Sequence, residues 1–239
     1  RQPVAVYLRE GRYAMAESLT FGPEDSGNAD CAVSYAAFPG ETVVLSGGRC
    51  LAGWQLETNG WWRADLPEAP AGKRFFRQLT VNDRRAVRAR WPDEDGNLRI
   101  AHIIKGVQRF TFNQPLPGED LGRQDAELVV YNDWSVTRGL VTSSDASRLS
   151  TATPMGRAGE ALLATGLNPN YAPTLRGKRV FIEQARALLD QPGEWWLDRP
   201  GGCLYYLPRA GEDPETAEVV APVLNRLVVI AGTRERPVR

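Results

Sequence analysis

Short apolar runs of period two, each closed by turn residues, constrain this chain more than any other feature in it. In residues 4–48 they recur about every 10–14 residues with no helical stretch between them. Val4, Val6 and Leu8 alternate before Glu10-Gly11, and Leu19 and Phe21 before the turn Gly22-Pro-Glu-Asp-Ser-Gly27. Residues 32–37 run to Pro39-Gly40, and residues 42–46 to Gly47-Gly48. Side chains at i and i+2 share one face of a strand, so each run predicts a strand with one apolar face. Strands at this spacing fit a sandwich or barrel. They fit equally the coils of a parallel β-helix, where short strands stack about 4.8 Å apart around an apolar interior.

The rest of the chain divides by character. Residues 54–72 set Trp54, Trp61 and Trp62 among Asn59-Gly60, Pro67, Pro70 and Gly72, and read as a loop-rich passage into a new unit. Residues 73–141 return to strand patterns. Val87, Ala89 and Trp91 are expected on one face, opposite Arg88 and Arg90; Leu98, Ile100, His102 and Ile104 are expected to share another. Phe110 and Phe112 follow, then residues 128–131, separated by turn signals, as in an antiparallel sheet. Residues 142–178 are rich in Ser, Thr, Pro, Gly and Asn and predict a long loop with a short helix at 158–165. Residues 179–182 predict a strand, and 183–190 two helical turns stopped by Pro192-Gly193. Residues 194–198 and 203–207 predict a hairpin around Arg199-Pro-Gly-Gly202, and residues 227–230 a last strand.

With 239 residues, 42% hydrophobic and 24% charged, the chain has the composition of a soluble globular protein with a sizeable core. Lys+Arg and Asp+Glu both number 29, which argues against a nucleic-acid partner, because such proteins carry a basic excess. No apolar run approaches the ~18 residues of a membrane span. One histidine and three cysteines, Cys31, Cys50 and Cys203, without CxxC spacing, predict no metal site, and no cofactor is expected. Cys31 and Cys50 each flank a strand and could pair in an oxidising compartment; free, partly buried thiols are the plainer reading. The chain enters a strand directly after Arg1, with no leader pattern, and reaches Arg239 soon after a strand. Both ends read as cut edges, so the chain is expected to be a piece of a longer protein.

The segment Leu189-Asp-Gln-Pro-Gly-Glu-Trp-Trp-Leu-Asp198, continued by Cys203-Leu-Tyr-Tyr-Leu-Pro208, resembles bacterial right-handed parallel β-helix proteins related to glycoside hydrolase family 141. Ala89-Arg-Trp-Pro92, after Leu79-Thr-Val-Asn-Asp83, is similar to a second signature of those proteins. Residues 35–48 are similar to their opening coils, and residues 227–232 to the point where the β-helix resumes. The resemblance covers most of the chain and is weakest in 142–178; Gln184 stands where Asn is expected. It implies an all-β fold: partial right-handed parallel β-helix coils with an inserted antiparallel β-sandwich or barrel-like domain. Residues 1–52 would form the first coils, 53–221 the inserted domain, and 222–239 the return to the β-helix. It also implies a secreted or periplasmic carbohydrate-active parent, a glycoside hydrolase on plant-type or similar polysaccharide. Its catalytic acids would lie on later coils, so no catalytic residue maps onto this sequence and the chain alone is expected to be inactive. Two other readings stay open: a non-catalytic carbohydrate-binding or adhesive module, and a polysaccharide lyase on the same scaffold.

Asp133, Trp134 and His102 are the candidates for substrate contact. Asp133 and Trp134 follow a strand, and an indole can stack on the CH face of a sugar. His102 is the one side chain whose ordinary pKa lies near neutrality, although its place between Ile100 and Ile104 also suits a core or edge histidine. Glycosidases use two carboxylates about 5–5.5 Å apart for retention or 6.5–9.5 Å for inversion. Asp190, Glu194 and Asp198 sit beside turns and read as carboxylates that satisfy turn amides. Of Trp61-Trp62 and of Trp195-Trp196, at most one each is expected in a core, since strand neighbours point to opposite faces. Arg88 and Arg90 could meet an acidic polysaccharide or form a solvated strand face.

Overall fold

The computed structural model describes residues 2–28, 30–69, 76–93, 96–105, 108–118, 120–133, 135–155 and 175–238. Among them there is no α-helix, only strands and short 3-10 turns, so the fold is all-β. In chain order the strands are β1 (Val4–Leu8), β2 (Gly11–Ala14), β3 (Leu19–Phe21), β4 (Val33–Ala37), β5 (Val43–Ser46), β6 (Gly48–Leu51) and β7 (Gln55–Leu56). They continue as β8 (Trp62–Asp65), β9 (Leu79–Val81), β10 (Arg84–Arg88), β11 (Arg90–Trp91), β12 (Ile100–Lys105), β13 (Arg109–Phe112) and β14 (Glu127–Tyr131). The last are β15 (Val136–Ser144), β16 (Leu149–Thr151), β17 (Val180–Glu183), β18 (Glu194–Asp198), β19 (Cys203–Tyr206), β20 (Val219–Pro222) and β21 (Val228–Ile230). The chain forms two compact units, one of residues 1–52, 78–84 and 218–239, the other of residues 53–77 and 85–217.

The first unit is organised by parallel pairing. β1 lies parallel to β4 with Val4 opposite Val33, and β2 parallel to β5 with Gly11 opposite Val43. β21 lies parallel to β3 with Val228 opposite Leu19. Chain order therefore makes β1-β2-β3 one row and β4-β5-β21 a second row against it, whose third strand comes from the far end of the sequence. β20 pairs antiparallel with both β6 and β9. Two rows bury little, and Val4, Tyr7, Tyr35, Val228 and Ile230 are exposed. Among the described residues, Cys31 and Cys50 of this unit and the buried Cys203 of the second unit are not joined in disulfides.

The second unit holds two sheets. One has the order β10-β18-β19-β8-β7, the other β11-β17-β14-β15-β16-β13-β12. Pairing is antiparallel except between β10 and β18. The hairpin expected around Arg199–Gly202 is β18–β19, with Asp198 opposite Cys203. The passage expected to be loop at 54–72 contains β7 and β8, because Trp62 and Ala64 alternate inward from β8. Phe110, Leu128, Val130, Leu149, Val180 and Ile182 lie in one buried cluster with Trp196.

Several expectations about faces are corrected. Trp195 and Trp196 are both buried, since β18 is central in its sheet and covered on both sides. Trp195 stacks on Phe76, and Trp196 on Tyr205. The two helical turns expected at 183–190 shrink to one 3-10 turn, Arg186–Leu188. Gln184 has φ +71°, a left-handed conformation that breaks a helix and that Asn adopts more readily.

The arginine face is inverted as well. Ala86, Arg88 and Ala89 are buried and Val87 is exposed, because the chain leaves one sheet after β10 and joins the other as β11. Arg88 is buried for a reason set by strand register. Glu127 and Glu183 stand directly opposite each other in the β14–β17 pair, where two like charges repel. Arg88 Nη1 donates to Glu127 Oε2 and lies 3.5 Å from Glu183 Oε2. Arg77 Nη2 donates to Glu127 Oε1 at 2.6 Å, and Arg138 Nη2 lies 3.6 Å from Glu183. Gln184 completes the network by accepting from Arg88 Nε at 3.1 Å and donating to the Leu197 carbonyl.

Candidate functional site

The structure does not bring His102 and Asp133 together. His102 lies on β12, the edge strand, and Asp133 follows β14, with β15, β16 and β13 between those strands. His102 is exposed instead of sharing the inward face of Ile100. A register shift between Ile100 and His102 turns the strand over, so Ile103 packs on the core in its place. Asp133 is exposed and ion-paired with Lys178. Trp134, and the helix expected at 158–165, lie outside the described residues.

Carboxylates do converge in a cleft of about 620 Å³ beside the Pro192-Gly193 turn, lined by Trp91, Asp93, Gln191 and Glu194. Ligand oxygens of Asp93, Asp190 and Glu194 lie within 4.8 Å of one another. Three carboxylates could hold only a hard, oxygen-seeking cation. Glu194, however, is buried and engaged by backbone. Its Oε2 accepts from the N–H groups of Asp190 and Gln191 at 3.3 and 3.2 Å, and its Oε1 from Arg90 N–H at 3.3 Å. That is the turn-holding role expected for Glu194. Asp198 plays a similar part in the hairpin, accepting from Gly201 N–H at 2.9 Å.

Burial pushes the Glu194 carboxyl up to about 7, against the opposing N–H bonds from Gln191 and Asp190, and the neighbouring Asp190 charge adds to the rise. Burial also raises Asp190, helped by the charge of Asp93. The raised Glu194 value fixes the sign of a pH effect. Between about 4.5 and 7 the folded protein holds a proton that the unfolded chain releases. Its contribution to stability is complete below about 4.5 and is lost as pH rises through about 7. Glu194→Gln should therefore flatten the fall in melting temperature that the parent shows across that window, measured by thermal unfolding at a series of pH values.

A second cleft, of about 570 Å³, is lined by Trp61, Trp196, Arg123, Asp125, Arg186 and the Asp198–Pro200 turn. Nothing in the residues around the tryptophan pairs places any of them in a cleft. The available signal was Trp61 and Trp196 separately; what joins them is the adjacency of β8, β19 and β18.

A solved structure titled "Glycoside hydrolase" is similar over 100% of this chain and 41% of its own, with a TM-score of 0.77 and 27% identity. The chain thus shares its fold with part of a glycoside hydrolase. The model of the GH141 insertion domain matches residues 60–209, and the chain belongs to that family. The chain spans about two fifths of the length of that solved structure. No curated protein matches the sequence. Among the described residues no helix is long and apolar enough to cross a membrane.

Proposed function

We propose that this chain is the N-terminal part of a secreted or periplasmic β-helix glycoside hydrolase acting on plant-type or similar polysaccharide. Residues 1–52 and 222–239 supply its first coils, and residues 53–221 the insertion, with strand β9 returning to the coil unit. The observation that carries this reading is the three-fold parallel pairing β1–β4, β2–β5 and β3–β21. Three strands per row, each stacked on its counterpart in the next, is the pattern of a coil. The second row is interrupted after β5 and completed by β21, so the insertion occupies a turn of that coil. Exposed Val4, Tyr7, Tyr35, Val228 and Ile230 support it, because solenoid repeats bury their apolar faces only by stacking neighbours.

In this reading the catalytic carboxylates belong to later coils, and none of Asp93, Asp190, Glu194 or Asp133 is the catalytic pair. The test is hydrolysis of xylan, pectic and fucosylated glycans by two proteins, residues 1–239 alone and the chain extended by the sequence its gene encodes beyond residue 239. Cleavage by the extended protein only is expected. Cleavage by residues 1–239 alone would contradict the placement of the catalytic acids.

A further inference from the structure

We propose that the cleft between Trp61, Trp196 and the Asp198–Pro200 turn is a saccharide-binding subsite selective for sugars that carry a carboxylate. The proposal rests on the carbohydrate reading above and concerns a face of the insertion unit with no part in bond cleavage.

The floor of the cleft is aromatic and held in place. Trp196 is buried and stacks on Tyr205, with ring centroids 5.3 Å apart and planes 21° from parallel. Trp61 meets the same Tyr205 edge-on at 6.1 Å and 72°. Trp61 is only half-buried and lines the cleft. A rigid indole offers a pyranose its CH-stacking surface at small entropic cost, because two χ angles are already fixed by packing.

Charge around this floor favours an anion. Arg123, Arg186 and Arg199 line the cleft against Asp125 and Asp198. Asp125 is ion-paired with Arg199, and Asp198 is engaged by Gly201 N–H. Arg123 is exposed and lies 3.4 Å from Asp120 outside the cleft lining. Arg186 is exposed, and its guanidinium lies over one face of the Trp61 ring, 5.6 Å from the centroid, leaving the other face for a sugar. Among the described residues no carboxylate is ion-paired with Arg186. A planar guanidinium beside an indole can pair with a sugar carboxylate while the ring stacks alongside. Gln124, whose Oε1 accepts from Ala187 N–H at 3.1 Å, also lines the cleft.

The experiment uses residues 1–239 and follows tryptophan fluorescence during titration with oligogalacturonate and with a glucuronoxylan oligosaccharide. Each is compared with its carboxyl-reduced, neutral counterpart. At least one acidic oligomer should give a saturable change, binding about tenfold or more tightly than its reduced form and weakening with salt. Arg186→Gln, on an exposed side chain, should weaken it about tenfold with the melting temperature unchanged. Trp61→Ala should abolish the response; Trp61→Phe, which retains a ring in the packing, should keep part of it. Equal binding of acidic and reduced oligomers, no saturation by any acidic oligomer up to about 10 mM, or an unchanged affinity in Arg186→Gln would overturn the subsite. Any of these would leave the hydrolase reading standing, because that reading is judged by cleavage in the extended protein.

Discussion

Arg88→Ala is expected to cost about 3–5 kcal/mol of unfolding free energy in urea at neutral pH. Arg88 is 6% exposed and faces Glu127 and Glu183, which are also buried and stand opposite each other in register. Removing the cation leaves two nearby carboxylates with Arg77 and Arg138 alone to compensate, from one side each. The pH dependence separates this account from simple loss of packing. Burial by itself raises Glu127, but the hydrogen bond from Arg77 and the charge of Arg88 outweigh it and hold the carboxyl at about 2.

A lowered carboxylate contributes stability that is present above about 4.5 and is lost as pH falls toward about 2. The shift corresponds to about 3 kcal/mol at most. The gap between Arg88→Ala and the parent should therefore narrow as the medium is acidified. Arg88→Lys should fall between the two, since one ammonium cannot span Glu127, Glu183 and Gln184 as a forked guanidinium does. A loss below about 1 kcal/mol, or a gap that does not change with pH, would contradict the network's role.

Trp195→Ala should be of comparable size, about 3–5 kcal/mol, from lost burial and the cavity left behind. Trp195 is fully buried on β18 and stacks on Phe76 at 5.3 Å. Its indole N–H is buried without an acceptor among the described residues, so the ring contributes through packing alone. Trp195→Phe keeps an aromatic partner for Phe76 and removes the unsatisfied donor, and should cost less than half as much as the alanine variant. Equal losses for the two would point to a structural role for the indole nitrogen instead.

How far the sequence carries the fold depends on what sets each feature. Strands β1 to β5, the hairpin β18–β19 and β21 are local patterns: alternation, turn residues at their ends, and few residues to misplace. All but β2, which begins at the Gly11 expected to end a run, were readable, as was the turn-holding part of Glu194 and Asp198. Faces were readable only where a strand stays in one sheet. Arg88 was assigned to an open face because alternation was carried through Ala89, where the chain changes sheets. His102 was aligned with Ile100 because a bulge leaves no mark in the residue types.

Glu127 and Glu183 show a further limit. Each adjoins an apolar run, Leu128-Val-Val130 or Val180-Phe-Ile182, but their pairing depends on strands about fifty residues apart coming into register. The same holds for the Trp61–Trp196 cleft, whose halves meet only through β19. The family followed the resemblance and not any catalytic constellation, since Glu194, the buried member of the converging carboxylates, is engaged by turn amides.

The most direct test of the proposed β-helix is a crystal structure of the full-length product of the gene that encodes this chain. The next strands should add in parallel to β4, β5 and β21, covering apolar side chains such as Tyr35 and Ile230, with acidic residues paired across later rows. If those three edges instead stay open, or receive antiparallel strands from a separate globular domain, then β1–β5 and β21 are not the opening turns of a β-helix.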